Sequence, residues 1–137
     1  MKNVLILCTG NSCRSIMAEA LVNAYLGELG IKAYSSGVAP SGEVNPDAIE
    51  ALQKEGISVE GLHSKTLSAL EVKDFELVVT VCDHAKETCP MFPGKVKILH
   101  VGFEDPSGKA KEEYTKTLFE IKEGLLVKIK EALGLGA

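Results

Sequence analysis

Arginine occurs once in this chain, at position 14, and tryptophan not at all, while the lysines of the last third are interspersed with glutamates. With a net charge of −4 over 137 residues, the chain offers no basic face, which excludes nucleic acid as a partner. Long apolar runs are missing too. After one lysine the N-terminus has only Val4-Leu5-Ile6-Leu7 before polar residues, too short for a signal peptide or a membrane span. The expectation is therefore a cytoplasmic protein with no membrane partner. No linker of Pro, Gly or Ser divides the sequence, so residues 1–137 are expected to form a single domain, monomeric, with 45 % apolar residues to fill its core. Cysteines number four; in a cytosolic chain they are expected to be reduced and chemical rather than a disulfide framework.

What is present alternates. Short apolar runs of strand type at 3–7, 32–35, 76–81 and 96–100 are separated by helical periodicity in 14–29, in 46–55 and in about 110–133. Pro46 after Asn45 marks a helix start, with Asn45 as N-cap and Pro46 at the first helical position. Alternation of this kind predicts an α/β fold: a small doubly wound four-stranded parallel sheet with helices on both faces. Ligands in such sheets bind outside the carboxyl ends of the strands. Cys8, Cys82 and the loop around Asp105 all follow predicted strands, so the fold alone brings them to one edge.

The first strand runs directly into Cys8-Thr9-Gly10-Asn11-Ser12-Cys13-Arg14-Ser15. Backbone N–H groups curled around a Gly-containing turn make an anion nest, and a helix opening at about Ser12 adds the positive end of its dipole. Residues 9–15 are thus the candidate oxyanion-binding loop. Cys8 lies at its base, where the field that attracts an anion also favours the thiolate, the nucleophilic form. Arg14 supplies a bidentate fork matched to phosphate or arsenate. An ordinary strand-to-helix turn with a buried cysteine explains neither the lone arginine nor the polar residues between.

Cys82 and Cys89 form a second constellation, in Val81-Cys82-Asp83-His84-Ala85-Lys86-Glu87-Thr88-Cys89-Pro90. If 83–89 is helical, seven residues at about 1.5 Å rise separate the two Cα atoms by roughly 10 Å, whereas a disulfide needs about 4.4–6.8 Å. Bonding this pair requires the segment to unwind or loop out. No metal is expected here: the spacing of Cys82, His84 and Cys89 does not match structural zinc sites, and a fourth ligand is missing nearby. His63 and His100 receive no role. Asp105, before Pro106, is the candidate proton donor for a departing oxygen.

Taken together, the Cys8–Ser15 loop, Cys82-x6-Cys89 and Asp105-Pro106 resemble the thioredoxin-coupled arsenate reductases, which share the low-molecular-weight protein tyrosine phosphatase fold. The resemblance spans nearly the whole chain. The loop itself, including a cysteine at the Cys13 position, is common to reductases and phosphatases; the Cys82–Cys89 pair is the feature that separates them. Residues 38–50 contain no aromatic to wall a phosphotyrosine ring, and Asp105-Pro106 is followed by Ser-Gly where the phosphatases carry tyrosines.

The resemblance implies a mechanism. Cys8 attacks arsenate held by the loop and Arg14, and Asp105 protonates the leaving oxygen. Cys82 then attacks Cys8 and expels arsenite. Cys89 attacks Cys82, leaving a Cys82–Cys89 disulfide for thioredoxin, or for a glutaredoxin with a low-molecular-weight thiol. Asn11 shapes the loop, Ser15 donates to the Cys8 thiolate, and no cofactor is bound. Some members hold potassium beside the loop with the equivalents of Asn11, Glu19 and Ser35 or Ser36 and an aspartate. That last position corresponds here to Lys65, so a Glu19–Lys65 pair and no potassium requirement are expected. A tyrosine phosphatase and a noncatalytic oxyanion or redox sensor are the competing readings.

Overall fold

A computed structural model describes residues 2–11, 13–37, 42–71, 74–82, 96–106 and 108–135. Four strands form one parallel sheet: β1 (Lys2–Cys8), β2 (Ile31–Gly37), β3 (Leu77–Thr80) and β4 (Lys97–His100), in the order β2-β1-β3-β4. Among the described residues, three α-helices accompany them: α1 (Arg14–Leu26), α2 (Pro46–Lys54) and α3 (Lys111–Ala132). Each strand and helix expected within the described residues is present to within a few residues. The last turn expected of the first helix is instead a 3-10 turn, Gly27–Leu29, that ends on Gly30 in the left-handed region.

Strand alternation explains the layering. Val4, Ile6 and Cys8 of β1 face a core shared with Met17 and Leu21 of α1, Leu52 of α2 and Leu118, Ile121 and Leu125 of α3. Leu5 and Leu7 point the other way, against Leu70, Phe75 and Val78. β1 is thus covered on both faces, which is why it reads as an unbroken apolar run. Among the described residues, α1, α2 and α3 share one face. The short turn Leu67–Ala69 and Phe75 cover the other. Residues 83–95, between β3 and β4, lie outside the described residues.

The helix ends follow local chemistry. Asn45 caps α2, its side chain accepting from the Asp47 N–H at 2.9 Å, with Pro46 at the first helical position. Tyr114, Leu118, Ile121, Leu125 and Ile129 recur at helical spacing on the buried stripe of α3. α1 is buried nearly all round in its first half, from Arg14 to Ala18.

This topology decides where a ligand can sit. From β1 the chain moves to β2 at one side; from β2 it crosses back over β1 to β3 at the other. The direction of winding reverses at β1. A crevice opens at the carboxyl end of such a strand, and that end is Cys8.

Candidate active site

A small cavity of about 200 Å³ is lined by Cys8 to Asn11, Cys13, Arg14 and Asp105. Ser12 lies outside the described residues. Cys8 is 3 % exposed and Arg14 4 %, so an anion bound here would meet the thiol and the guanidinium in a largely dehydrated space, where charge interactions are strong. α1 begins at Arg14, with Cys13 as its uncapped N-cap residue. The helical periodicity of 14–29 starts at Arg14, two residues after the opening expected at about Ser12.

Asn11 holds the loop's shape. Its backbone φ is +45°, the one left-handed non-glycine residue among those described, a conformation asparagine tolerates better than most residues. Its side chain is wholly buried. The amide nitrogen donates to Ser15 Oγ at 2.8 Å and Ser35 Oγ at 3.0 Å, and the amide oxygen accepts from the Lys65 backbone N–H at 3.0 Å. Ser64 Oγ donates to the Gly10 carbonyl at 3.2 Å. The loop is therefore anchored to α1, to β2 and to residues 64 and 65 at once.

Arg14 is fixed at its far end. Nη1 donates to the Phe103 carbonyl at 3.1 Å, and Nη2 lies 3.7 Å from Asp105 Oδ2. Asp105 itself is 48 % exposed, so it sits at the mouth while Arg14 lines the wall. These two candidate site residues, far apart in sequence, lie side by side at the cradle. Cys13 is a different kind of thiol. Burial pushes its pKa up strongly and Asp105 adds to the rise, so Cys13 stays protonated at neutral pH.

Cys82 follows β3 at the same edge of the sheet, is wholly buried, and is disulfide-bonded. Cys8 and Cys13 are not disulfide-bonded. Cys89, and with it the expectation about residues 83–89, lies outside the described residues.

Glu19 and Lys65 form the expected pair beside the loop, with Nζ 3.8 Å from Oε1 and side chains 13 % and 7 % exposed. Glu19 also accepts from Ser35 Oγ at 2.5 Å. Burial raises the Glu19 pKa, against the opposing effects of Ser35 and Lys65; burial lowers that of Lys65, against Glu19. With an ammonium already facing Glu19, these residues do not fit an additional potassium ion.

Two glycines carry structural demands that their sequence context did not reveal. A Cβ at Gly37 would stand 2.6 Å from the Thr9 carbonyl and 3.0 Å from Asn11 Cβ. Gly37→Ala is expected to displace the loop, weakening phosphate binding by about tenfold or more and lowering stability by about 1–3 kcal/mol. Calorimetric titration with phosphate beside thermal melting checks this; unchanged affinity would show that the loop does not depend on that contact. At Gly102 a Cβ would meet the Cys82 carbonyl at 2.9 Å and His100 Nε2 at 3.0 Å. The Arg14–Phe103 bond was equally hidden, since a backbone carbonyl has no sequence signature.

With this geometry established, similarity to known proteins becomes interpretable. A family model described as low molecular weight phosphotyrosine protein phosphatase matches residues 3–133. An arsenate reductase of Bacillus cereus (strain 03BB102) is 42 % identical over 122 residues, 89 % of this chain and 90 % of that protein. Among solved structures, an arsenate reductase from Archaeoglobus fulgidus superposes with a TM-score of 0.76 at 31 % identity, covering 96 % of this chain and 98 % of that one. A low molecular weight protein tyrosine phosphatase from T. tengcongensis superposes with 0.77 at 32 % identity, covering 96 % and 99 %. The match from residue 3 to residue 133, with an oxyanion cradle at the carboxyl end of β1, assigns the chain to the low molecular weight phosphotyrosine protein phosphatase family.

Proposed function

We infer that this protein is an arsenate reductase that works through thiol chemistry at Cys8 and a disulfide relay through Cys82 and Cys89. The observation that carries the reading is Cys82: a buried, disulfide-bonded cysteine at the edge of the sheet that also holds the nucleophile's loop. Phosphate-ester hydrolysis needs no second redox cysteine. The 42 % identity to an arsenate reductase supports the same choice, whereas the fold is shared about equally with a phosphatase.

The geometry of the cradle supports a set of roles for these residues. The Cys8 thiolate attacks arsenic while the loop amides of 9–15 and the Arg14 fork hold the arsenate oxygens. Asp105, at the mouth, donates a proton to the leaving oxygen, which departs as water. The Cys82 thiolate then attacks Cys8 sulfur. The Cys8–arsenic bond breaks, its electron pair stays on arsenic, and arsenite leaves as a Cys8–Cys82 disulfide forms. Two thiols have lost two electrons and arsenic has gained two. Cys89 next attacks Cys82 and frees Cys8, and thioredoxin reduces the Cys82–Cys89 bond by exchange. Cys13, held protonated by burial, stays out of the relay.

Arsenate-dependent oxidation of NADPH, with thioredoxin and thioredoxin reductase present, tests the reading. Steady turnover with arsenate is expected. Hydrolysis of aryl phosphates without arsenate turnover would make the protein a phosphatase. A glutaredoxin with a low-molecular-weight thiol, substituted in the same assay, distinguishes the reductant.

Lys65 takes the place of a cation. Turnover is expected to be the same in potassium and sodium buffers; dependence on potassium would overturn this role. Lys65→Ala is expected to lower stability by about 1–3 kcal/mol, because it strands the Glu19 carboxylate. The loss should deepen with rising pH. In that variant the folded protein holds the Glu19 proton more tightly than the unfolded chain, so stability falls as pH climbs above the ordinary carboxylate range. Urea titrations across pH check the slope, which Glu19→Gln in the same background should remove.

A further inference from the structure

A second cavity lies away from the anion cradle, beyond the edge strand β2 and between α1 and residues 58–71. It encloses about 900 Å³, against about 200 Å³ for the cradle. Nothing assigned to the reaction occupies it. Ala20, Ala24, Leu62 and Leu70 give it an apolar wall, and Glu19 and Lys65 lie within its lining.

The chemistry of those two side chains narrows what the cavity can take. Lys65 Nζ has three donors, and among the described residues it meets only the His63 carbonyl, at 2.8 Å, and Glu19 at 3.8 Å, too far for a hydrogen bond. The Glu19 carboxylate accepts from Ser35 and has further lone pairs to offer. Both groups therefore retain capacity, and they carry opposite charges. A simple anion drawn to Lys65 would be repelled by Glu19; a simple cation drawn to Glu19 would be repelled by Lys65. A molecule bearing both charges on one carbon atom's substituents complements the pair, and a hydrocarbon group on it would lie along the alanine and leucine wall.

We propose that this cavity is a binding site for a small zwitterion of the α-amino acid type, its carboxylate on Lys65 and its ammonium on Glu19. Ligand there acts on the oxyanion loop through short, direct links. The Lys65 backbone N–H donates to Asn11 Oδ1 at 3.0 Å and the Lys65 carbonyl accepts from the Gly37 N–H at 2.9 Å. Ser35 bridges Glu19 to Asn11. A ligand that repositions Lys65 and Glu19 shifts the anchors of Asn11, and by reciprocity an oxyanion in the loop alters the affinity of the cavity. This holds whichever reaction Cys8 performs.

The test is a nitrogen-15 NMR titration of the full chain with each standard α-amino acid at millimolar concentration, and with acetate and methylamine as the two half-molecules. At least one amino acid is expected to give saturable shifts at the amides of Ala20, Asn23, Leu62 and Lys65, while acetate and methylamine do not. The bound amino acid is expected to change the dissociation constant for inorganic phosphate by about fivefold or more. Ala24→Trp, which plugs the mouth from an exposed helix position, should abolish the shifts in a protein whose remaining spectrum shows it folded. Four results would each overturn the proposal: no amino acid binds; the half-molecules shift the same amides equally; the shifts survive in Ala24→Trp; or phosphate affinity is indifferent to the amino acid. A loop that binds no phosphate at all would count against the anion cradle, and the binding arm would still decide the cavity.

Discussion

Cys8→Ser is expected to reduce arsenate turnover by roughly 10⁴-fold or more while leaving the fold intact. The substitution breaks the sequence of steps twice. A serine hydroxyl is scarcely ionised at neutral pH and so does not attack arsenic, and it has no sulfur to receive Cys82 in the exchange that expels arsenite. Cys8 is almost wholly buried at the end of β1, and the hydroxyl is smaller than the thiol, so the packing cost is small. Arsenite release in a single-turnover assay, with thermal melting beside it, checks both halves of the expectation. Measurable turnover by a correctly folded variant would remove Cys8 from the nucleophile's role.

Cys82→Ser is expected to separate two activities that share one cradle. Arsenate reduction should fall below detection, because no thiolate remains to take the Cys8 sulfur and hand two electrons to arsenic. Slow hydrolysis of an aryl phosphate should survive, since it needs only Cys8, the loop, Arg14 and Asp105. Cys82 is fully buried, so the serine hydroxyl enters an apolar setting and stability is expected to fall by about 1–3 kcal/mol; Cys82→Ala removes that complication. Assays of both activities on both variants are the measurement. If hydrolysis and reduction fall together in Cys82→Ala, Cys82 is a structural residue and the relay is wrong.

The fold was legible because its signals were local. Val4–Leu7 reads as a strand buried on both faces, and β1 is one; Asn45-Pro46 reads as a helix start, and Asn45 caps α2 with its side chain. Cys8, Arg14 and Asp105 could be gathered from sequence because each follows, or lies close behind, a parallel strand whose carboxyl end points to the same edge. The Glu19–Lys65 pair came from the family resemblance and not from any pattern in the chain. What stayed hidden was contact at a distance. The crowding of Gly37 against Thr9 and of Gly102 against Cys82, and the bond from Arg14 to the Phe103 carbonyl, depend on how strands and loops stack. A glycine in a strand end or a backbone oxygen looks the same in sequence whether or not something rests on it. The larger cavity was invisible for a related reason: its lining comes from α1, β2 and residues 58–71, and none of these is unusual by itself.

The central place of β1 has a consequence for the chain as it is made. The cradle's sequence leaves the ribosome well before its fastenings do: Asn11 waits for Lys65, 54 positions later, and Arg14 for Phe103, 89 positions later. Until β3 arrives, β1 has one neighbour instead of two, and parallel pairing across such distances forms slowly. A growing chain therefore presents Cys8 and Cys13 as ordinary accessible thiols, open to any oxidant or metal, and only the finished sheet shuts both away.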